Sequence, residues 1–150
     1  MKLDTIEKIL EFAIAKEEEA NAFYMDLARR MDKAHLKAIF EDFAREELGH
    51  KQKLLGVKSG RLPMPSTERV QDLKIGDHLV EVTPGKDSTF QDALVVAMKA
   101  EKAAFKLYTE LAEAADKPET KNLFLSLAQE EARHKLRFEI EYDQYTYKEN

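Results

Sequence analysis

The feature that most constrains this chain is an internal repeat. Displaced by 84 residues, the sequence aligns with itself without a gap, and residues 17–51 share 14 identities over 35 positions with residues 101–135. Glu17 falls on Glu101, Ala20 on Ala104, Tyr24 on Tyr108, and Leu27-Ala28 on Leu111-Ala112. Phe40 then falls on Phe124, Ala44 on Ala128, Glu46-Glu47 on Glu130-Glu131, and His50-Lys51 on His134-Lys135. Two amphipathic hairpins share apolar spacing whatever they do, because each must bury one face. Apolar spacing alone does not repeat Glu, Tyr and His where Lys, Gln or Leu would serve as well. The repeat therefore carries chemistry as well as packing.

Each repeat reads as a pair of helices. Ile6, Ile9, Leu10, Ala13, Ile14, Ala20, Phe23, Tyr24 and Leu27 recur at helical spacing, which predicts a helix over about 5–31 with Asp4 as its N-cap. Leu36, Ile39, Phe40, Phe43, Ala44, Leu54 and Leu55 predict a second from Lys33 to a C-cap at Gly56. Ser88 with Gln91 forms a capping box that opens a third helix, near 89–115. Pro118 suits the first turn of a fourth, which Leu123, Phe124, Leu127, Ala128 and Phe138 carry to about Tyr142. Residues 143–150 read as a helix end or a docked extension. Hairpin 1 thus spans about 5–56 and hairpin 2 about 88–142.

Between them, residues 57–87 hold Pro63, Pro65, Pro84, Gly60, Gly76 and Gly85, and read as a connection. Its 31 residues far exceed a tight helix-to-helix turn. A second helix of roughly 24 residues is about 36 Å long, whereas 31 extended residues reach about 100 Å. A crossover along the bundle fits. With 150 residues, 43% hydrophobic and 35% charged, and only 5 Gly and 4 Pro, the expectation is one all-α domain over 1–150, a four-helix bundle of two repeated hairpins.

On the first helix Ala13, Ile14, Ala20 and Tyr24 surround Glu17 on the apolar face, so Glu17 points inward. Ala97, Met98, Ala104, Phe105 and Tyr108 do the same for Glu101. On the second helix Glu47 follows Phe40, Phe43 and Ala44, with His50 one turn on; on the fourth, Glu131 follows Phe124, Leu127 and Ala128, with His134 one turn on. Residues at i and i+3 are neighbours, so each Glu-x-x-His can grip one ion or two adjacent ions. One inward Glu on each of two helices and a Glu-x-x-His on each of the others is the ligand set of ferritin-like di-iron and di-manganese bundles. A lone Glu-x-x-His is weak evidence; two, each matched to an inward Glu in a repeat, are strong.

Four carboxylates in an apolar core repel and lose hydration, so something positive must join them. Two divalent ions balance them. Glu47 and Glu131 are expected to bridge, Glu17 and Glu101 to be terminal, and His50 and His134 to take one metal each. Tyr24 and Tyr108, one heptad beyond the inward Glu residues, are either donors to ligand carboxylates or core filler. Gly49, inside the first Glu-x-x-His, either admits close packing or a helix distortion or is a neutral choice. His35 and His78 lie outside the pattern and read as surface or loop histidines.

With no cysteine, the chain has no disulfide, no thiolate chemistry and no cysteine-held metal. Oxygen and imidazole donors suit iron or manganese, and zinc would also bind. A formal net charge of −5 and scattered basic residues give nucleic acid little to hold. No stretch approaches a bilayer span or a secretory h-region, so the expected location is the cytoplasm, away from membranes.

Glu17-x-x-Ala20-x-x-x-Tyr24, Glu47-Leu48-Gly49-His50, Glu101-x-x-Ala104-x-x-x-Tyr108 and Glu131-Ala132-Arg133-His134 resemble the rubrerythrin family of the ferritin-like superfamily. The resemblance implies a ferritin-like bundle, a non-haem di-iron centre, reduction of hydrogen peroxide or dioxygen in oxidative-stress defence, and a homodimer. Standard members carry a further Glu one turn after the third-helix ligand, which lets an iron change ligands with redox state; here that position is Ala104. They often append a rubredoxin domain, and without cysteine any electron donor must be a separate protein, such as a rubredoxin. Two other functions fit the same ligands: a ferroxidase or iron-handling module, and a bundle held together by structural zinc.

Overall fold

The computed structural model describes residues 3–80, 82 and 89–149. Five α-helices order these residues: α1 (Ile6–Arg29), α2 (Ala34–Lys58), α3 (Thr67–Asp72), α4 (Phe90–Ala114) and α5 (Pro118–Glu149), with a 3-10 turn at Ile75–His78. Four long helices make the ferritin-like bundle, and no strand occurs among the described residues.

The helix ends differ from the sequence reading for local reasons. Thr5, not Asp4, caps α1: its hydroxyl accepts from the Lys8 N–H at 3.2 Å, while the Asp4 carboxylate is drawn to Lys8 Nζ at 3.4 Å. Thr89 caps α4, accepting from the Asp92 N–H at 3.0 Å; Ser88, the expected cap, lies outside the described residues. α2 continues two residues past Gly56, because the left-handed position falls on Gly60, at φ +90°. There Gly60 N–H donates to Val57 O at 3.1 Å and Arg61 N–H to Gly56 O at 2.9 Å, the paired bonds of a Schellman stop. Pro118 is the first residue of α5, where its missing N–H costs nothing.

The tyrosine-rich tail is a continuation of α5 rather than a separate extension. No Gly or Pro follows Pro118 to end the helix. Its last turns dock on the start of α4: Gln91 Nε2 donates to the Tyr142 hydroxyl at 3.2 Å, and the Tyr145 ring meets Phe90 at 5.6 Å between centroids.

Backbones approach within 8 Å chiefly inside each hairpin, α1 against α2 and α4 against α5. Pairs such as Lys51–Glu18 at 3.1 Å and Lys58–Glu11 at 3.3 Å show α1 and α2 to be antiparallel. The crossover first closes one end of the bundle. Ile6 N–H donates to Thr67 Oγ1 at 3.3 Å, Arg69 to Glu113 O at 3.3 Å, and Thr120 Oγ1 to Pro63 O at 2.6 Å. Val70 and Ile75 bury themselves beneath it.

The core is divided. One apolar cluster joins Ile6–Ile14 of α1 with Leu54, Val57, Leu111 and Phe124; the other joins Tyr24–Ala28 with Phe40, Phe43, Leu94 and Phe138. In all four long helices the inward Glu and His residues fall between these clusters, forming a buried polar layer with an apolar plug on either side.

Two glycines distinguish space from its absence. A Cβ on Gly76 would stand 1.8 Å from the backbone oxygen of Leu3, so the N-terminal segment lies directly against it. A Cβ on Gly49 would meet nothing within 4 Å, and α2 runs unbroken through that position; neither close packing nor a distortion explains this glycine. Gly76→Ala is expected to destabilise by about 1–3 kcal/mol through overpacking. Gly49→Ala is expected to stabilise by about 0.5–1 kcal/mol through reduced chain entropy. Urea denaturation of the two variants checks both signs.

Candidate metal centre

Glu17 of α1, Glu47 and His50 of α2, Glu101 of α4, and Glu131 and His134 of α5 converge in the polar layer, none more than 2% exposed. His50 Nδ1 stands 3.3 Å from Glu47 Oε1, 3.3 Å from Glu131 Oε1 and 3.6 Å from Glu17 Oε2. His134 Nδ1 stands 3.4 Å from Glu47, 3.6 Å from Glu131 and 3.7 Å from Glu101. Two overlapping sets result. Glu17, Glu47, His50 and Glu131 place one donor atom each within 4.8 Å of one another, and so do Glu47, Glu101, Glu131 and His134. Glu47 and Glu131 belong to both.

Each of the six residues leaves one buried atom without a partner: Glu17 Oε2, Glu47 Oε1, His50 Nδ1, Glu101 Oε2, Glu131 Oε1 and His134 Nδ1. A buried unsatisfied polar atom costs about 1–3 kcal/mol, so six gathered in one layer call for protons or cations to join them. The donor chemistry, four carboxylates and two imidazoles, fits two hard or borderline divalent ions.

The outward atoms of four of these residues, Glu17, Glu101, His50 and His134, are held from the opposite hairpin. The Tyr24 hydroxyl donates to Glu101 Oε1 and the Tyr108 hydroxyl to Glu17 Oε1, so each tyrosine serves the glutamate of its repeat mate's helix. His50 Nε2 lies 2.9 Å from Glu130 Oε2, and His134 Nε2 bonds Glu46 Oε2. A carboxylate has no proton to give, so Nε2 carries one and Nδ1 is the nitrogen turned to the centre, where it would offer its lone pair to a metal ion. Glu46 and Glu130 had no role in the sequence reading, although both are identities of the repeat.

The repeat is broken at one place that matters. Arg133 Nη2 contacts Glu46 at 2.6 Å and its guanidinium lies 5.8 Å above the Phe43 ring, which itself stacks on His134 at 4.0 Å. Its repeat mate is Gly49, so Glu130 has no matching arginine. His35 and His78 are both exposed, His78 pairing with Glu110 at 3.3 Å away from the centre.

Burial, then the neighbouring carboxylates, pushes Glu47 and Glu131 well above the usual carboxylate range. Burial also raises Glu101, against the pull of its bonds to His134 and Tyr24. Burial works to lower the histidines, but hydrogen bonds and charge from Glu17 and Glu47 lift His50 to about 9, and those from Glu101 and Glu47 lift His134 to about 10. Burial first, then adjacent carboxylates, holds Tyr24 and Tyr108 far above the ordinary phenol value, so both remain donors. For Glu46 partial burial is outweighed by His134 and Arg133, which bring it below the usual value.

The sequence model of the rubrerythrin family matches residues 8–72 and 92–150. Two solved structures share the fold. A Thermotoga maritima protein, provisionally described as a ferritin-like diiron-carboxylate protein, superposes with a TM-score of 0.77 at 20% identity, over 97% of this chain and 99% of that one. A hypothetical protein from Pyrococcus furiosus superposes with a TM-score of 0.69 at 25% identity, over 93% of this chain and 89% of that one. No curated protein shows significant similarity to the sequence. Because the matched segments take in both hairpins and omit chiefly the second half of the crossover, the chain belongs to the rubrerythrin family.

Proposed function

We propose that this chain is a di-iron oxidoreductase that reduces hydrogen peroxide or dioxygen with electrons from a separate donor protein such as a rubredoxin. The observation that carries the reading is the pair of four-residue donor sets sharing Glu47 and Glu131. Glu17 and His50 would complete one ion's ligands and Glu101 and His134 the other's, with Glu47 and Glu131 common to both sets. Two ferrous ions held there supply two electrons at one place, the number that peroxide reduction needs.

The protein's own contribution is orientation of the donor atoms. Tyr24 and Tyr108 fix the terminal carboxylates, each leaving one oxygen toward the centre. Glu130 and Glu46 fix the two imidazoles in the tautomer that presents Nδ1. Two apolar clusters close the centre along the bundle axis. Ala104 puts a methyl group where standard members carry a glutamate, so no carboxylate at that position could exchange with Glu101 as a ligand. Oxidative-stress defence, a cytoplasmic location and a homodimer belong to the same proposal.

Protein purified without oxygen should carry about two iron ions per chain, and rapid mixing of its diferrous form with peroxide or O₂ should change the absorption spectrum. No change with either oxidant would sink the oxidoreductase reading. Glu47→Ala and Glu131→Ala should lose most of the metal while His78→Ala keeps it; equal metal content in all three would refute the ligand assignment.

Protons and metal ions compete for the same atoms. The histidines and the three shifted glutamates all bind protons more tightly in the folded metal-free protein than an unfolded chain does, near 6.5 for His and 4.3 for Glu. The folded state therefore loses stability as pH rises, most steeply from about 6.5 through the histidine values of about 9 and about 10. Melting of the metal-free protein should fall by several degrees over that window, since about 1 kcal/mol corresponds to roughly 2–8 °C. Zinc-loaded protein should show the reverse trend, because ion binding displaces the protons.

A further inference from the structure

A cavity of about 440 Å³ opens between α1 and α4 and runs inward to Glu17, Glu47, Glu101 and Glu131. Its walls are apolar, with Phe12, Ala20, Phe23, Ala104 and Leu107 from the helices and Val80 from the crossover. Space for one water takes only about 10–15 Å³, so this volume is far beyond what peroxide or dioxygen requires. It lies within the range of about 300–1,000 Å³ typical of sites for organic ligands.

We infer that this cavity is a binding site for a neutral aliphatic molecule, an alcohol being the simplest case, with its oxygen-bearing head against the carboxylate layer. Three observations combine. The walls offer a chain apolar contact on both helices, whose burial favours binding by about 25 cal/mol per Å². At the inner end the cavity stops at the carboxylate residues Glu17, Glu47, Glu101 and Glu131, the polar groups that an oxygen-bearing head would meet. The space itself exists because the repeat mates Ala20 and Ala104 both end at Cβ; a glutamate at 104 would project into it.

The charge of the layer selects the head group. Two divalent ions only bring the four carboxylates to neutrality, leaving no excess positive charge to repay the desolvation of a carboxylate head. Lys16 at the mouth is already paired with Glu19 at 2.9 Å. A neutral head is favoured when the layer holds its two ions. The placement of the head beside bound metal rests on the di-metal reading, whereas the apolar walls do not.

The test is calorimetric titration of octanol and of octanoate into zinc-loaded protein, with zinc content measured on the same samples. Octanol should bind saturably, and octanoate at least about tenfold weaker, a difference of about 1.4 kcal/mol. Ala104→Leu should weaken octanol at least tenfold without changing zinc content, and Ala20→Leu fills the same space from α1 should the first variant fail to fold. Leu136→Ser, on the outer face of α5, should change nothing. Absence of saturable binding, equal octanol affinity in wild type and both leucine variants, or equal affinity for octanol and octanoate overturns the inference. So does a dimer that Ala104→Leu dissociates while octanol affinity is unaltered, since a second copy would then cover the mouth. Octanol binding in wild type that holds no zinc leaves the cavity standing and removes the di-metal reading instead.

Discussion

Four buried carboxylates set the terms for everything else in this protein. Left to themselves, Glu17, Glu47, Glu101 and Glu131 would repel one another in a medium that hydrates none of them. Each is therefore held by something outside the layer or turned toward its centre. Tyrosine hydroxyls take the outer oxygens of Glu17 and Glu101, and histidine Nδ1 atoms approach the inner oxygens of the other two. The apolar clusters above and below offer the layer no polar partner along the bundle axis, which raises the cost of leaving its charges uncompensated. Such an arrangement is unfavourable for a free-standing core and suited to a metal site.

The hydrogen bonds that orient the layer nearly all cross from one hairpin to the other. Tyr24 reaches Glu101 while Tyr108 reaches Glu17; His50 reaches Glu130 while His134 reaches Glu46. This reciprocity is what a repeat becomes when its copies face each other across a twofold relation. It makes the antiparallel register of α1 with α4, and of α2 with α5, a condition for both halves of the site at once. Departures from the symmetry are then informative. Arg133 opposite Gly49 gives the His134 side a guanidinium on its partner carboxylate and a stacked Phe43 that the His50 side lacks. The two donor sets are consequently inequivalent in electrostatics even though their residue types match.

Much of the bundle was legible because helices are local. Apolar spacing located all four long helices, and Pro118 marked the start of the last one. The errors came at ends, where a neighbouring hydroxyl such as Thr5 competes for the cap or where Gly60 rather than Gly56 takes the left-handed turn. α5 ran on through the tail because nothing stops it and because Tyr142 and Tyr145 find α4, a contact distant in sequence. Glu46 and Glu130 were present in the repeat as identities, yet a carboxylate next to a ligand reads as solvated until a histidine from the other hairpin is seen against it.

The sequence by itself determined the helices, the repeat and the six donor residues, since inward direction on a helix follows from residue spacing alone. Where each donor's second atom goes was decided by tertiary structure. Tyr24 and Tyr108 share a helix with Glu17 and Glu101 respectively, yet each bonds the glutamate of the other hairpin. The pairing of helices also decided that Ala20 and Ala104 line one cavity instead of two separate surfaces. Periodicity specifies which face of a helix is buried; which other face it meets, and how much space remains between them, depends on packing distances that no single helix encodes.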